Sequence, residues 1–407
     1  MKDTDLYSQI LGVKDPWFVS KVDLAVAGGS GTIKIAVEAK ENQRLPCPEC
    51  GAESPGYDTQ KRTWRHLDTC QLQTLIESNV PRVNCKVHGV KLVKVPWAEK
   101  NSQFTLLFER FAIDVLQQCH ITGARKLLGL TWDEAWGIKF RAVRRGLDRR
   151  KLAELPKIGL DEKAIAKRHR YAALVYDLEN SRVLHVAEDR RETSLDGFWA
   201  ALNAAQKDSI KAVAMDMWDP FIASVRKNVP RAVIVFDRFH VHGMLSKAVD
   251  MVRRQENREL VKDDDDRLKK TKFLWLANPE NMTTEARQRF RELKNSDLKV
   301  AKAWAMRENF VRIWSFTYPA AVAKHINAWC RWVVKSGLKP MMDVAESIMR
   351  HISNILTYLQ YPITNAVAEG LNSKIKSIQS MARGFRNFDN FRTAVMFHCG
   401  GLDLYPL

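Results

Sequence analysis

The chain is short of acid. It has 47 Asp and Glu against 65 Lys and Arg, a net charge of +18 over 407 residues. A surplus of this size argues against an acidic scaffold and attracts polyanions, either nucleic acid or an anionic membrane face. Long apolar runs are also missing. No stretch of about 18 consecutive apolar residues occurs, so no membrane span is expected and nucleic acid leads as the partner. The first residues, Met1-Lys2-Asp3-Thr4-Asp5, lack the charged and apolar regions of a signal peptide. Cysteine is scarce and odd in number. Seven residues at spacings that outline no disulfide framework point to a reducing cytoplasm. There is no internal repeat and no low-complexity tail. What remains is globular in composition, 45% hydrophobic and 28% charged, and long enough for two to four domains.

Four of the scarce metal-binding residues come in pairs. Cys47-Pro48-Glu49-Cys50 and Cys85-Lys86-Val87-His88 each separate two donors by two residues, the spacing with which a tight knuckle holds one ion. Four protein ligands close the coordination shell, so a zinc held by Cys47, Cys50, Cys85 and His88 would be structural. The plain alternative is a redox pair or unrelated thiols. His66 and Cys70, which lie between the pairs, read as packing residues. The run from Gln71 to Val80 alternates as a small β-ribbon does. Before the first knuckle, a short helix and a hairpin are expected. Val22–Val26 and Thr32–Val37 alternate around the turn signal Gly28-Gly29-Ser30-Gly31.

Residues 103–150 carry helical periodicity. Phe104–Gln118 forms one helix. The stretch from Ile121 follows, with a turn at Gly129, an N-cap at Thr131 and the helix Trp132–Arg145. A helix, a short glycine turn and a basic second helix match a helix-turn-helix, whose second helix would turn Lys139, Arg141, Arg144 and Arg145 toward DNA. An ordinary helical hairpin with a solvated basic face is the alternative. Arg149-Arg150-Lys151 reads as a basic linker that could follow phosphates.

Three short apolar runs then end in a carboxylate, at Asp161, Asp216 and Asp237. Each reads as a buried strand with an acid at its tip, although Asp also ends strands because it favours turns. Several such tips side by side would form an oxygen-rich edge suited to hard divalent cations. The element order is strand, strand, strand, helix, strand, helix, strand, which is the order of a ribonuclease H-like fold. It would set Asp161 and Asp216 face to face on adjacent strands. Asp219 and Pro220 are expected to cap and open the second helix. Residues 245–360 read as a helical insertion, with Asp263–Asp266 as a solvated turn. A final helix, capped by Thr364 or Asn365, places Glu369, Asn372 and Lys376 on one face. Arg383-Gly384-Phe385-Arg386 follows as a basic aromatic turn suited to DNA backbone contact, through Arg383 and Arg386.

Taken together, the chain resembles the ISL3 family of insertion-sequence transposases over roughly residues 5 to 400. The resemblance rests on the CPEC knuckle, IGLDEKAI around Asp161, AVAMDMWDPF around Asp216, VIVFDRFHV around Asp237, and NAVAEGLNSKIKSI with RGFRNFDNFR around and after Glu369. It implies a DDE transposase of the bacterial cytoplasm and nucleoid. Asp161, Asp216 and Glu369 would form the catalytic triad and hold two Mg²⁺, with Mn²⁺ as a substitute. Asp237 and His240 would correspond to an accessory motif that positions DNA, with Asn372 and Lys376 beside it. Asp237 remains the alternative to Asp216 as second acid. His88 departs from an expected set of four cysteines but keeps a zinc donor. The partners implied are terminal inverted repeats and target DNA, with a homodimer on paired ends. A catalytically inactive DNA-binding regulator and a structure-specific nuclease are the other readings. The expected fold is an α/β ribonuclease H-like core with a large all-helical insertion, preceded by a small zinc-binding β domain and a helix-turn-helix domain. The expected divisions are 1–100 (zinc-binding β), 101–152 (helix-turn-helix), 153–244 (core, first part), 245–360 (helical insertion) and 361–407 (core, final helix and tail).

Overall fold

The computed structural model describes residues 2–407 apart from 28–29, 41–42, 167–169, 362 and 364–365. The turn expected at Gly28-Gly29 and the cap expected at Thr364 or Asn365 fall outside the described residues. The chain divides into two units, residues 1–150 with 401–407, and residues 151–400.

The first unit starts with α1 (Asp3–Leu11) and the hairpin of β1 (Trp17–Ala27) and β2 (Ser30–Ala39). A two-residue hairpin follows, β3 (Leu45–Pro46) with β4 (Glu53–Ser54), and then the long pair β5 (Gly56–Thr69) and β6 (Leu72–Cys85). β7 (Gly89–Leu92) turns back on β6, and the sheet order is β1-β2-β6-β5. Period-two alternation sends Ile33, Ile35, Val37, Trp64, Ile76 and Val80 into one core. Trp17 and Trp64 both meet Trp97 there edge to face, at 5.0 and 5.5 Å.

Three helices complete this unit: α2 (Leu106–Gln118), α3 (Ile121–Leu128) and α4 (Trp132–Arg149). Their ends follow the expected chemistry. Thr105 accepts from the Phe108 N–H, Gly129 turns α3 off at φ 65°, and Thr131 and Glu134 form a reciprocal capping box on α4. The last seven residues were expected to finish the core; they pack in the first unit. Arg145 donates to the Leu404 carbonyl and Arg149 to that of Tyr405. A Cβ on Gly146 would stand 2.7 Å from Leu402 Cβ, so the tail passes where only glycine leaves room.

The second unit is built on one mixed sheet. β8 (Lys157–Ala166), β9 (Arg170–Asp177) and β10 (Arg182–Glu188) form an antiparallel meander. The short helices α5 (Asp196–Ala200) and α6 (Ala204–Ser209) lead to β11 (Ala212–Met215), which lies parallel to β8. α7 (Asp219–Asn228) then crosses to β12 (Val233–Phe236), parallel to β11, giving the order β10-β9-β8-β11-β12. Asp219 is the first residue of α7 with Trp218 at the cap position, so it acts by its charge at the helix N-terminus and not as the cap.

α8 (Arg238–Leu260) leaves the sheet. α9 (Lys272–Leu276), α10 (Thr284–Lys294), α11 (Lys299–Val311), α12 (Pro319–Ser336), α13 (Lys339–Arg350) and α14 (Ile352–Gln360) follow. One apolar core runs from Leu160, Val213 and Phe236 under the sheet to Trp275, Phe310 and Trp329 among these helices. The segment returns to the sheet through α14, where the Thr357 hydroxyl donates to the Ile234 carbonyl of β12 at 2.7 Å. α15 (Ala366–Ala382) and α16 (Phe388–Cys399) close the unit.

Candidate active site

Strand register sets the acids in a row. Ala214 of β11 stands opposite Gly159 of β8, and Met215 opposite Phe236 of β12. Continuing both registers past the paired residues brings Asp216 level with Asp161 on one side and Asp237 on the other. The three carboxylates differ in exposure. The Asp216 side chain is 24% exposed and that of Asp237 only 3%. Asp237 caps α8 by accepting from the Phe239 N–H at 2.9 Å. His240, on the first turn of α8, places Nδ1 2.8 Å from Asp216 Oδ2 and Nε2 4.0 Å from Asp237.

The electrostatics of the row favour a cation. Burial, and then the charge of Asp216, push the Asp161 carboxyl up to about 6. Burial opposes charge on the His240 imidazole, but its hydrogen bond to Asp216 and the acids around it hold its pKa above the ordinary value. Asp216 Oδ1 and Asp237 Oδ2 are buried with no hydrogen-bond partner. Crowded carboxylates with orphaned oxygens are a donor set that fits Mg²⁺ or Mn²⁺. Asp161, Asp216 and His240 line a cleft of about 410 Å³.

Helix α15 reaches this row through Asn372. Asn372 of α15 donates its amide to Asp161 Oδ2, while its carbonyl accepts from the Tyr176 hydroxyl at 3.0 Å. Asp161 Oδ1 takes the Glu162 N–H at 2.7 Å, so both of its oxygens are held. Tyr176 is a residue that sequence reading missed. Its phenol, whose pKa burial raises, fixes which way the Asn372 amide points. No pattern in the chain links a tyrosine on β9 to an asparagine 196 residues later. Glu369 sits one turn before Asn372 on α15 but is exposed and does not line the cleft. Lys376, Arg383 and Arg386 are exposed as well.

The zinc donors converge more fully. One ligand atom from each of Cys47, Cys50, Cys85 and His88 lies within 4.8 Å of the others. Each pair belongs to a knuckle that ends in a left-handed glycine, Gly51 at φ 73° and Gly89 at φ 66°. Backbone N–H groups of His88 and Val87 lower the Cys85 thiol to about 6, toward the thiolate that zinc requires. His66 stays out of the site. It is buried against the Thr105 hydroxyl at 2.9 Å and its pKa falls to about 4 through burial, so it is a neutral packing residue.

The basic face expected on α4 needs correction. Arg145 is buried and bridges Glu99 and Glu109, and Arg141 also donates to Glu109, itself 1% exposed. Lys139 is 6% exposed, and burial lowers its ammonium to about 8. Turning Arg141 and Arg145 to DNA would strand the buried Glu109. Of the four, Arg144 alone is exposed.

Comparison with known proteins agrees with this layout. A family profile described as a transposase matches residues 158–395, from β8 through most of α16 and more than half of the chain. The protein is therefore a DNA transposase, an enzyme that rearranges DNA. It belongs to the ISL3 family. A profile for the zinc-finger of transposase IS204/IS1001/IS1096/IS1165 matches residues 43–88 and ends on His88. The helix-turn-helix domain of transposase family ISL3 matches residues 93–138, which spans α2, α3 and the start of α4. The zinc ribbon and its Cys₃His cluster support a structural Zn²⁺. The transposase for insertion sequence element IS1557 of Mycobacterium tuberculosis (strains CDC 1551 / Oshkosh and ATCC 25618 / H37Rv) is 24% identical, over 95% of this chain and 93% of that protein. The transposase for insertion sequence element IS1001 of Bordetella parapertussis is 25% identical, over 85% of this chain and 86% of its own. Among the described residues no helix is long and apolar enough to cross a membrane.

Proposed function

We propose that this transposase binds the terminal inverted repeats of its insertion sequence, and that it cuts and joins DNA at the acid row of a ribonuclease H-like core. The observation that carries the reading is the level placement of Asp161 and Asp216 on adjacent parallel strands, with Asn372 of the last core segment holding Asp161. The strand order β10-β9-β8-β11-β12 supports the fold assignment. Asp161 and Asp216 would hold Mg²⁺, with Glu369 as the third acid and Asp237 as an accessory one. The greater exposure of Asp216 favours it over Asp237 as the ligand. When bound, the cation supplies Lewis-acid activation of the attacking oxygen and charge neutralisation at the phosphate.

The chain's own residues do the rest. Asn372 and the Glu162 N–H orient Asp161, and Tyr176 orients Asn372. His240 keeps Asp216 from swinging into solvent by its 2.8 Å contact and presents an imidazole toward an incoming phosphate. Arg144, Arg383 and Arg386 are exposed cations available to the DNA backbone. Both chemical steps are in-line displacements at phosphorus, water attacking first and the freed 3′-hydroxyl second, so no nucleophilic side chain is required. Holding two ends at once calls for a homodimer.

The test is incubation with Mg²⁺ and labelled duplexes of the terminal sequences that flank its gene. Asp161→Ala should bring strand cleavage below detection while end binding stays at the wild-type level. Undiminished cleavage by that variant would refute the assignment. End binding by the wild type without any cleavage would favour a regulator instead.

A further inference from the structure

Beside the acid row, the cleft wall is aromatic where a phosphodiester enzyme needs only charge. Trp218, two residues past Asp216, lines the cleft, and so does Phe239, immediately before His240. The Trp218 ring is held in place. The Trp218 indole N–H donates to the Arg190 carbonyl at 3.0 Å, and the Arg190 guanidinium lies 4.6 Å from the Trp218 ring and 4.2 Å from that of Tyr171. Arg190 is fixed in turn by a two-oxygen ion pair to Glu162, at 2.9 and 3.1 Å. With its N–H occupied, what Trp218 offers the cleft is apolar ring surface. Phe239 is 49% exposed with Arg238 over its ring at 4.9 Å, so much of its ring is accessible to a ligand in the cleft.

We infer that Trp218 and Phe239 form a stacking platform for an unpaired nucleobase next to the scissile phosphate. The inference rests on the acid row being where the strand is cut. A volume of about 410 Å³ is that of a small-molecule pocket, suited to one nucleotide and too small for a duplex. An aromatic wall with no hydrogen-bonding group to spare recognises the face of a base and not its edge, so it takes any of the four bases. Pulling one base from the helix would open the path of the adjoining phosphate to Asp161 and Asp216, as enzymes that work on a buried part of a duplex must do. Arg190 stiffens the platform by clamping Trp218 from the side of Glu162, the neighbour of Asp161.

The test uses the full chain and duplexes of the terminal sequences that flank its gene, without divalent cation, so that binding is read apart from cleavage. A single unpaired nucleotide, intact or abasic, is moved across the cleavage junction of the duplex, so that neither form has a base pair to break. At one position the abasic form should bind the wild type roughly tenfold more weakly than the intact form, the scale of one lost base–aromatic stack. Trp218→Leu and Phe239→Ala should each bind the intact duplex more weakly by a similar factor, and lose nothing further at that abasic position. Thermal melting checks that Trp218→Leu is folded, and the exposed Phe239 provides a second variant that the fold does not depend on. A 2-aminopurine at the same position should change fluorescence on binding to the wild type and not to Trp218→Leu. Equal binding of intact and abasic duplexes by wild type and variants, or losses that multiply at every position, would overturn the platform while leaving the acid row in place. Failure of the wild type to bind its ends at all would refute the reading of the cleft and the platform with it.

Discussion

The zinc knuckle and the acid row are both places where the chain gathers metal-binding atoms, and they gather them differently. At the knuckle, all four donors converge within 4.8 Å, held by two tight turns. At the acid row, Asp161, Asp216 and Asp237 sit level, but Glu369 stays exposed and outside the cleft. The knuckle has soft and borderline donors that tolerate proximity while protonated. The row has hard anions that repel, and the rise of the Asp161 carboxyl to about 6 records its burial first and that crowding second. A structural site is complete in the fold; a catalytic one keeps a position open for substrate.

Zinc removal should produce the largest separation between the two. A strong zinc chelator should melt residues 45–92, because binding free energy on the order of 10 kcal/mol is folding free energy in such sites. Hydrogen exchange would show β6 and β7 losing protection, while Mg²⁺ withdrawal leaves both units folded. Equal protection with and without zinc would remove the contrast. Next in size is the pair Asp216→Asn and Asp237→Asn, assayed for Mg²⁺-dependent cleavage. A residual rate is expected only in the second, where Asn can still cap α8. The reverse result would exchange their roles.

A smaller effect tests the corrected basic face. Arg145→Ala leaves Glu109 and Glu99 without their shared partner and should cost about 3 kcal/mol in stability, measured by denaturant unfolding. Arg144→Ala should leave stability unchanged and weaken end binding a fewfold. The smallest effect concerns pH. The native state holds the Asp161 proton between pH 3.8 and about 6, where the unfolded chain releases it, so its contribution to stability is present at low pH and lost as pH rises through 6. Metal-free Asp161→Asn should therefore melt a few degrees above wild type at pH 7 and level with it near pH 4. A constant offset at both pH values would mean that the crowding is not electrostatic.

Much of this was legible in the chain. Apolar runs ending in acids marked β8, β11 and β12, and paired donors two residues apart marked the knuckle, because both signals are local. The cap at Thr131 and the turn at Gly129 were local too. Side-chain direction was not. Lys139, Arg141 and Arg145 look like a solvent face until Glu109 is placed, 32 residues before Arg141. The Asn372–Tyr176 bond and the His240–Asp216 contact depend on tertiary register that no window of sequence contains. Asn372 was picked out by its spacing from Glu369, yet it is Asn372 and not Glu369 that touches Asp161.

The tail at residues 401–407 bears on the order of synthesis. The helix-turn-helix unit emerges first from the ribosome and can begin folding at once. Its Arg145 and Arg149 find their carbonyl partners, and Gly146 its covering strand of chain, only after the whole catalytic unit has been translated. A nascent chain therefore carries this unit with the contacts of α4 unfinished. Residues 401–407 thus tie the completion of the first unit's packing to the synthesis of the second unit.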